Sequence, residues 1–266
     1  MQQAEDFRAE SAALAAVLDP LGESDFARTT QFKGWTVDDV IGHLHMFNVA
    51  ALKSLEGDAA FDAFFAPIAE MLGQGKSLLE TQIPWLNGRS GRALLAEWRD
   101  TCDTLADAFA RSDPKARLKW AGPSMSALSS VTARQMETWA HGQEVFDLLG
   151  LERAEADRVR NIAHLGVATF GWTFANRGEA VPEPAPHVRL TGPSGAVWTW
   201  NAAQEGNAVE GSAVEFAQVV TQVRNIADTA LVTRGETARR WMATAQCFAG
   251  APMDPPAPGT RHRAGR

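Results

Sequence analysis

Val131, Met136, Trp139, Val145 and Leu148 make one long apolar stretch of helical character, and inside it stand two groups that a buried face rarely carries, Glu137 and His141. Four positions apart on a helix, their side chains lie one turn apart on the same face. A carboxylate at a buried margin is expensive unless something compensates it. Two partners are available. One is Arg134, a turn earlier on the same side, as an ion pair. The other is a divalent metal held between Glu137, His141 and a third ligand from elsewhere in the chain. The residues alone leave both open.

A third ligand is to be sought in the helix that opens at Gly34-Trp35-Thr36. Thr36 is placed to cap the free backbone amides, and Asp39 three residues on completes a capping-box pattern. Val37, Val40, Ile41, Leu44, Asn48 and Ala51 form the inward stripe. His43 and His45 project to opposite margins of that stripe, so one rotation of the helix cannot aim both at one ion. Periodicity does not choose between them. Of the other histidines, His164 reads as a buried, hydrogen-bonded residue, His187 as a strand-edge residue and His262 as part of a tail.

Two imidazoles and one carboxylate suit Zn²⁺ and leave one or more positions open for water or substrate. The same set matches the facial triad of non-haem iron sites, and Ni²⁺ or Mn²⁺ are compatible by ligand type. An incomplete protein shell implies chemistry: polarising a carbonyl, lowering the pKa of water, or holding a thiol as thiolate.

Around these residues the chain reads as mostly helical, then mixed. Helices are expected over about 5–17, 36–51, 58–72, 90–111, 126–149 and 156–175, with loops at Gly73-Gln74-Gly75 and from Pro84 to Gly91. Val181 to Pro186 holds three prolines and reads as a linker. After it, His187–Leu190 and Val197–Trp200 flank Gly192-Pro193-Ser194-Gly195, a strand–turn–strand signal. Asn207–Gly211 adds a short strand, Ser212 caps a helix to about Val223, and a last helix spans about 236–248. The expectation is an α+β protein: a helical bundle over residues 1–178, a smaller α/β domain over 187–250, and a disordered tail over 251–266.

The net charge of −7 argues against a nucleic-acid backbone as the main partner. No apolar run reaches the length of a membrane span, and the first residues lack a signal-peptide pattern, so a cytoplasmic protein is expected. Cys102 and Cys247 lie far apart, form no CxxC motif and read as buried structural thiols. Oligomeric state is not legible.

At this point two motifs resemble a known family. Gly34-Trp35-Thr36-Val37-Asp38-Asp39-Val40-Ile41-Gly42-His43-Leu44 and Arg134-Gln135-Met136-Glu137-Thr138-Trp139-Ala140-His141 are similar to the two signatures of the mycothiol-dependent maleylpyruvate isomerase family, part of the DinB-like metal-binding superfamily. The resemblance implies His43 rather than His45 as the third ligand, with Glu137 and His141 as the other two. It implies a DinB-like four-helix bundle followed by a sterol-carrier-like α/β domain. It also implies a low-molecular-weight thiol cofactor and a cis-to-trans isomerisation of an enedioate by thiol addition, bond rotation and thiol loss. Arg224 best matches an arginine implicated at the family's active site, although Val223 stands where the family has Gly. Residues 245–250 resemble an uncharacterised subgroup more closely.

The leading expectation is therefore a metal-dependent isomerase or transferase acting on a small organic acid with the help of a thiol. Its rival is a non-catalytic protein holding an apolar small molecule or lipid in a cleft between domains.

Overall fold

Capping chemistry and apolar stripes set the first helices. In the computed structural model, which describes residues 1–265, α1 covers Gln2–Leu18 and α2 covers Val37–Glu56. Thr36 caps α2 as the sequence predicts: its hydroxyl accepts from the Asp39 amide at 3.1 Å, and the Asp39 carboxylate accepts from the Thr36 amide at 2.8 Å. Next come α3 (Asp58–Gly73), α4 (Leu78–Leu86) and α5 (Gly91–Arg111). A two-residue antiparallel ribbon, β1 (Arg117–Leu118) with β2 (Met125–Ser126), leads into α6 (Ala127–Leu149).

The helices of this part of the chain gather around α2, on which α3, α4 and α5 pack. The α5 helix packs on both α1 and α2, and α2 meets α6 where His43 touches Glu137. Phe7, Leu14, Leu44, Trp98, Leu105, Phe109 and Trp139 are fully buried. The α4 helix lies close against α2 on the side of Gly42, where a Cβ would come within 2.8 Å of a Leu86 methyl. Gln82 fixes that contact by donating to the Asp39 carbonyl at 3.0 Å.

The chain divides into two compact units, Met1–Leu148 and a second from Leu149 onward. The bundle thus ends about thirty residues earlier than expected. The predicted helix over 156–175 belongs to the second unit and is two helices, α7 (Val159–Ala168) and α8 (Phe170–Ala175). Its apolar stripe explains the allegiance. Val159, Ile162, Ala163 and Gly166 are buried, and Gly166 sits so close to Phe216 and Val220 that any Cβ would press on them.

The second unit is built on a four-stranded sheet of order β4-β3-β5-β6. β3 (His187–Thr191) and β4 (Val197–Trp200) form the expected antiparallel hairpin, and β5 (Ala208–Ser212) runs parallel to β3. β6 (Val232–Arg234) pairs antiparallel with β5. α9 (Ala213–Val220) follows β5 directly, with Ser212 as its cap, and α10 (Glu236–Thr244) follows β6. Phe170, Phe216 and Trp241 stack edge to face, with centroids 5.1 and 5.6 Å apart, in the core beneath the helices.

The tail, expected to be disordered, is instead laid along this unit without helix or strand. Buried Gln222 donates to the Met253 carbonyl at 2.8 Å, Gln246 accepts from the Met253 amide at 2.9 Å, and Asn225 donates to the Pro256 carbonyl at 2.8 Å. Polar side chains provided by the folded unit replace the water that an extended backbone otherwise needs.

Candidate metal centre

His43 sits on the second turn of α2, and the Thr36–Asp39 cap fixes where that turn begins. Glu137 and His141 stand mid-way along α6. His43 Nε2 lies 3.2 Å from Glu137 Oε2, and His141 Nε2 lies 3.4 Å from the same oxygen. One ligand atom from each residue falls within 4.8 Å of the others. The three side chains are 6, 18 and 12% exposed for His43, Glu137 and His141, so one carboxylate and two imidazoles converge almost out of solvent.

Aromatic rings wall the cluster. The Trp35 indole stacks on the His141 imidazole, with centroids 5.8 Å apart and planes 3° from parallel, and meets His43 edge-on at 5.4 Å. Phe32 contacts His141 at 5.0 Å and Phe47 contacts His43 at 4.9 Å. The loop that delivers Phe32 and Trp35 turns at Lys33 and Gly34, both with positive φ (53° and 71°), and closes with Trp35 N–H donating to the Phe32 carbonyl at 2.9 Å. None of these rings was expected at the site. Phe47 was discernible, being four residues after His43 on the same helix face.

Electrostatics keep the donors ready. Burial pushes His43 down to about 4, against the pull of its Glu137 contact, so its imidazole is neutral at pH 7. Burial works against the charge on Glu137, but hydrogen bonds from His141 and His43 and the charge of Arg134 outweigh it and hold the carboxyl well below the usual range. A neutral imidazole and an ionised carboxylate are the protonation states a metal requires.

The other residues weighed from the sequence take different partners. His45 faces away from the cluster, 3.6 Å from Glu97 and against the Trp85 ring at 5.2 Å. Arg134 makes no ion pair with Glu137. Its guanidinium instead lies over Trp120 at 5.3 Å and Phe47 at 5.6 Å. Arg224 is in the second unit, just beyond α9, where it donates to the Val223 carbonyl at 3.2 Å. His164 is hydrogen-bonded as expected, accepting from the Trp200 indole at 3.1 Å, but it is exposed rather than buried. His187 opens β3, an interior strand of its sheet rather than an edge.

Comparison with known proteins agrees with this architecture. The model of the mycothiol maleylpyruvate isomerase N-terminal domain matches residues 7–146, which contain all three convergent residues. The chain belongs to this family. Two relatives are the uncharacterized proteins MT0041 and Rv0036c of two Mycobacterium tuberculosis strains. Each is 37% identical over 247 residues, which cover 93% of this chain and 95% of the relative. Among solved structures, the crystal structure of the mycothiol-dependent maleylpyruvate isomerase superposes with a TM-score of 0.54 at 16% identity, covering 82% of this chain and 87% of that one. A histidine-to-alanine mutant of the same isomerase gives 0.52. These two show a shared fold. Among the described residues, no helix is long and apolar enough to cross a membrane.

Proposed function

We propose that this family member is a divalent-metal enzyme of the thiol-dependent isomerase or transferase class, acting on a small organic acid, with His43, Glu137 and His141 as the metal ligands. The observation that carries the proposal is a distance. Ligand atoms about 2.0–2.1 Å from a tetrahedral zinc ion stand about 3.3–3.4 Å from one another. The Nε2-to-oxygen separations of 3.2 and 3.4 Å match that spacing. With all three ligand atoms within 4.8 Å of one another, the residues present are compatible with a bound metal, zinc first by ligand type and nickel, iron or manganese also suited. A divalent ion held there would supply Lewis-acid chemistry, keeping a thiol as thiolate or polarising a carbonyl.

The protein's own residues contribute position and exclusion. Glu137 brings the negative charge, His43 and His141 bring imidazole nitrogens, and Trp35, Phe32 and Phe47 lock the imidazole planes and keep water from their flanks. No thiol of the chain is suited to the chemistry. Burial pushes Cys102 up to about 12, where it accepts a hydrogen bond from Asn48 at 3.3 Å, and Cys247 is buried in the second unit. A reacting thiol therefore comes from a small cofactor, in keeping with the mycothiol dependence of the isomerase that shares this fold. Arg224 is retained as a proposed anion anchor, on the strength of its motif position.

The test is a thermal-shift screen of metal-loaded protein against low-molecular-weight thiols, cis-enedioates and fatty acyl ligands. A ligand that binds only the folded state raises its apparent stability. Stabilisation by a thiol, followed by turnover of a cis-enedioate in its presence, is the expected result. Stabilisation by fatty acyl ligands alone would replace the enzyme with a carrier.

A further inference from the structure

Arg134 is a charged residue at this centre that the three-ligand reading does not use. It stands on α6 three residues before Glu137, hence on the same helix face. The residue is only 5% exposed, and its Nε and Nη1 atoms are shut off from solvent with no hydrogen-bond partner. It touches the centre through Phe47, whose ring meets both the His43 imidazole and the Arg134 guanidinium.

A guanidinium does not escape burial by losing its proton. The rings of Phe47 and Trp120 attract its charge, but a ring face is no substitute for an oxygen accepting its N–H groups. Glu137 is committed to the two imidazoles at 3.2 and 3.4 Å. With a divalent ion in place, one carboxylate, one guanidinium and two neutral imidazoles leave a net positive charge among aromatic walls. Such a site demands an anion, and the orphaned N–H groups specify one with acceptor oxygens.

We propose that Arg134 is the carboxylate-binding residue of this centre, holding an acid group of the bound organic acid beside the metal ligands. The proposal rests on the metal reading above. It places anion recognition on the same helix as two of the ligands, so the distance from acid group to reacting atoms is set within one rigid element.

The experiment loads the full-length protein with Co²⁺, whose visible bands report changes around the ion, and titrates maleate against its uncharged dimethyl ester. Wild type is expected to bind maleate saturably and the ester not at all. Arg134→Gln should weaken maleate at least tenfold with cobalt stoichiometry unchanged, and Arg134→Lys should fall between, keeping the charge without the planar fork. Equal maleate affinity in wild type and Arg134→Gln at equal cobalt content would overturn the proposal, as would ester binding as tight as the acid. If Arg134→Gln does not fold, the acid-against-ester comparison on wild type and the Lys variant decide. Failure of the metal reading would show first, as absent cobalt bands. Calorimetric titration of maleate into metal-free wild type and Arg134→Gln then judges Arg134 separately, with equal binding, or none to wild type, counting against it.

Discussion

His43 and Glu137, 94 positions apart in sequence, meet at 3.2 Å across the contact between α2 and α6, while His45, two residues along α2, is turned toward Glu97. The same helix therefore carries one histidine for the centre and one for its own packing. Substituting them separates the two roles. His43→Gln should reduce zinc affinity by more than the about 10- to 100-fold that loss of an outer partner costs, since it removes a ligand itself. His45→Gln should leave affinity within about threefold, well short of that cost. Competition with a chromogenic chelator measures both, and equal losses would mean that the assignment of His43 is mistaken.

Acid should destabilise the metal-free protein earlier than ordinary carboxylate titration does. Burial pushes His43 from 6.5 down to about 4, and burial with the nearby charge of Arg89 pushes His45 to about 4 as well. Between those pH values the unfolded chain binds protons at these positions that the folded chain refuses. Stability is therefore full above about 6.5 and is lost as pH falls toward 4. For His43 the loss is on the order of 3 kcal/mol. Urea unfolding of apo-protein at pH 7 and 4.5 reads the slope, which His43→Gln should flatten in part. A midpoint independent of pH over this range would contradict the burial argument.

The cap on α2 is a stability element next to the centre. Thr36→Ala deletes the hydroxyl that accepts from the Asp39 amide and should cost about 1 kcal/mol. Zinc affinity should fall less than stability, because the helix is also held by Gln82 and by its buried stripe. Denaturation and zinc titration of the same sample compare the two effects.

The strap formed by residues 251–265 depends on a few side chains. Gln222→Ala removes the donor to both Ala245 and Met253 carbonyls. Limited proteolysis should then cleave the strap several-fold faster while the sheet and its helices stay intact. Unchanged cleavage would mean that the strap is held by its other contacts, such as Arg261 to the Gln222 carbonyl and Gly259 to the Asp228 carboxylate.

Much of this was legible in the chain because the signals were local. The Thr36–Asp39 capping box, the apolar run of α6 and the Gly-Pro turn of the β3–β4 hairpin each state their element within a few residues. The site was legible only in part. Helical spacing pairs Glu137 with His141, but choosing His43 over His45 needs the rotation of α2, which packing sets and the family motif implied. Other elements were hidden by competing rules. Ser77 and Glu80 form a capping box for α4, yet Pro84 reads as a loop, whereas the helix simply ends within two residues of it. Gly166 and Gly171 flank the break at Thr169 but lie inside α7 and α8, so neither marks it. There the hydroxyl donates back to the Leu165 and Gly166 carbonyls, competing with the helix at the point where α7 gives way to α8. The three residues of β6 are too few for a period to show and exist through pairing with β5.

Metal content tests the central claim most directly. Wild-type protein and Glu137→Ala, stripped, dialysed against zinc and analysed by mass spectrometry of the element, should differ completely: one zinc per chain in wild type and essentially none in the variant, with both still folded by circular dichroism. Equal zinc in the two proteins, or none in wild type, would contradict a metal centre at His43, Glu137 and His141.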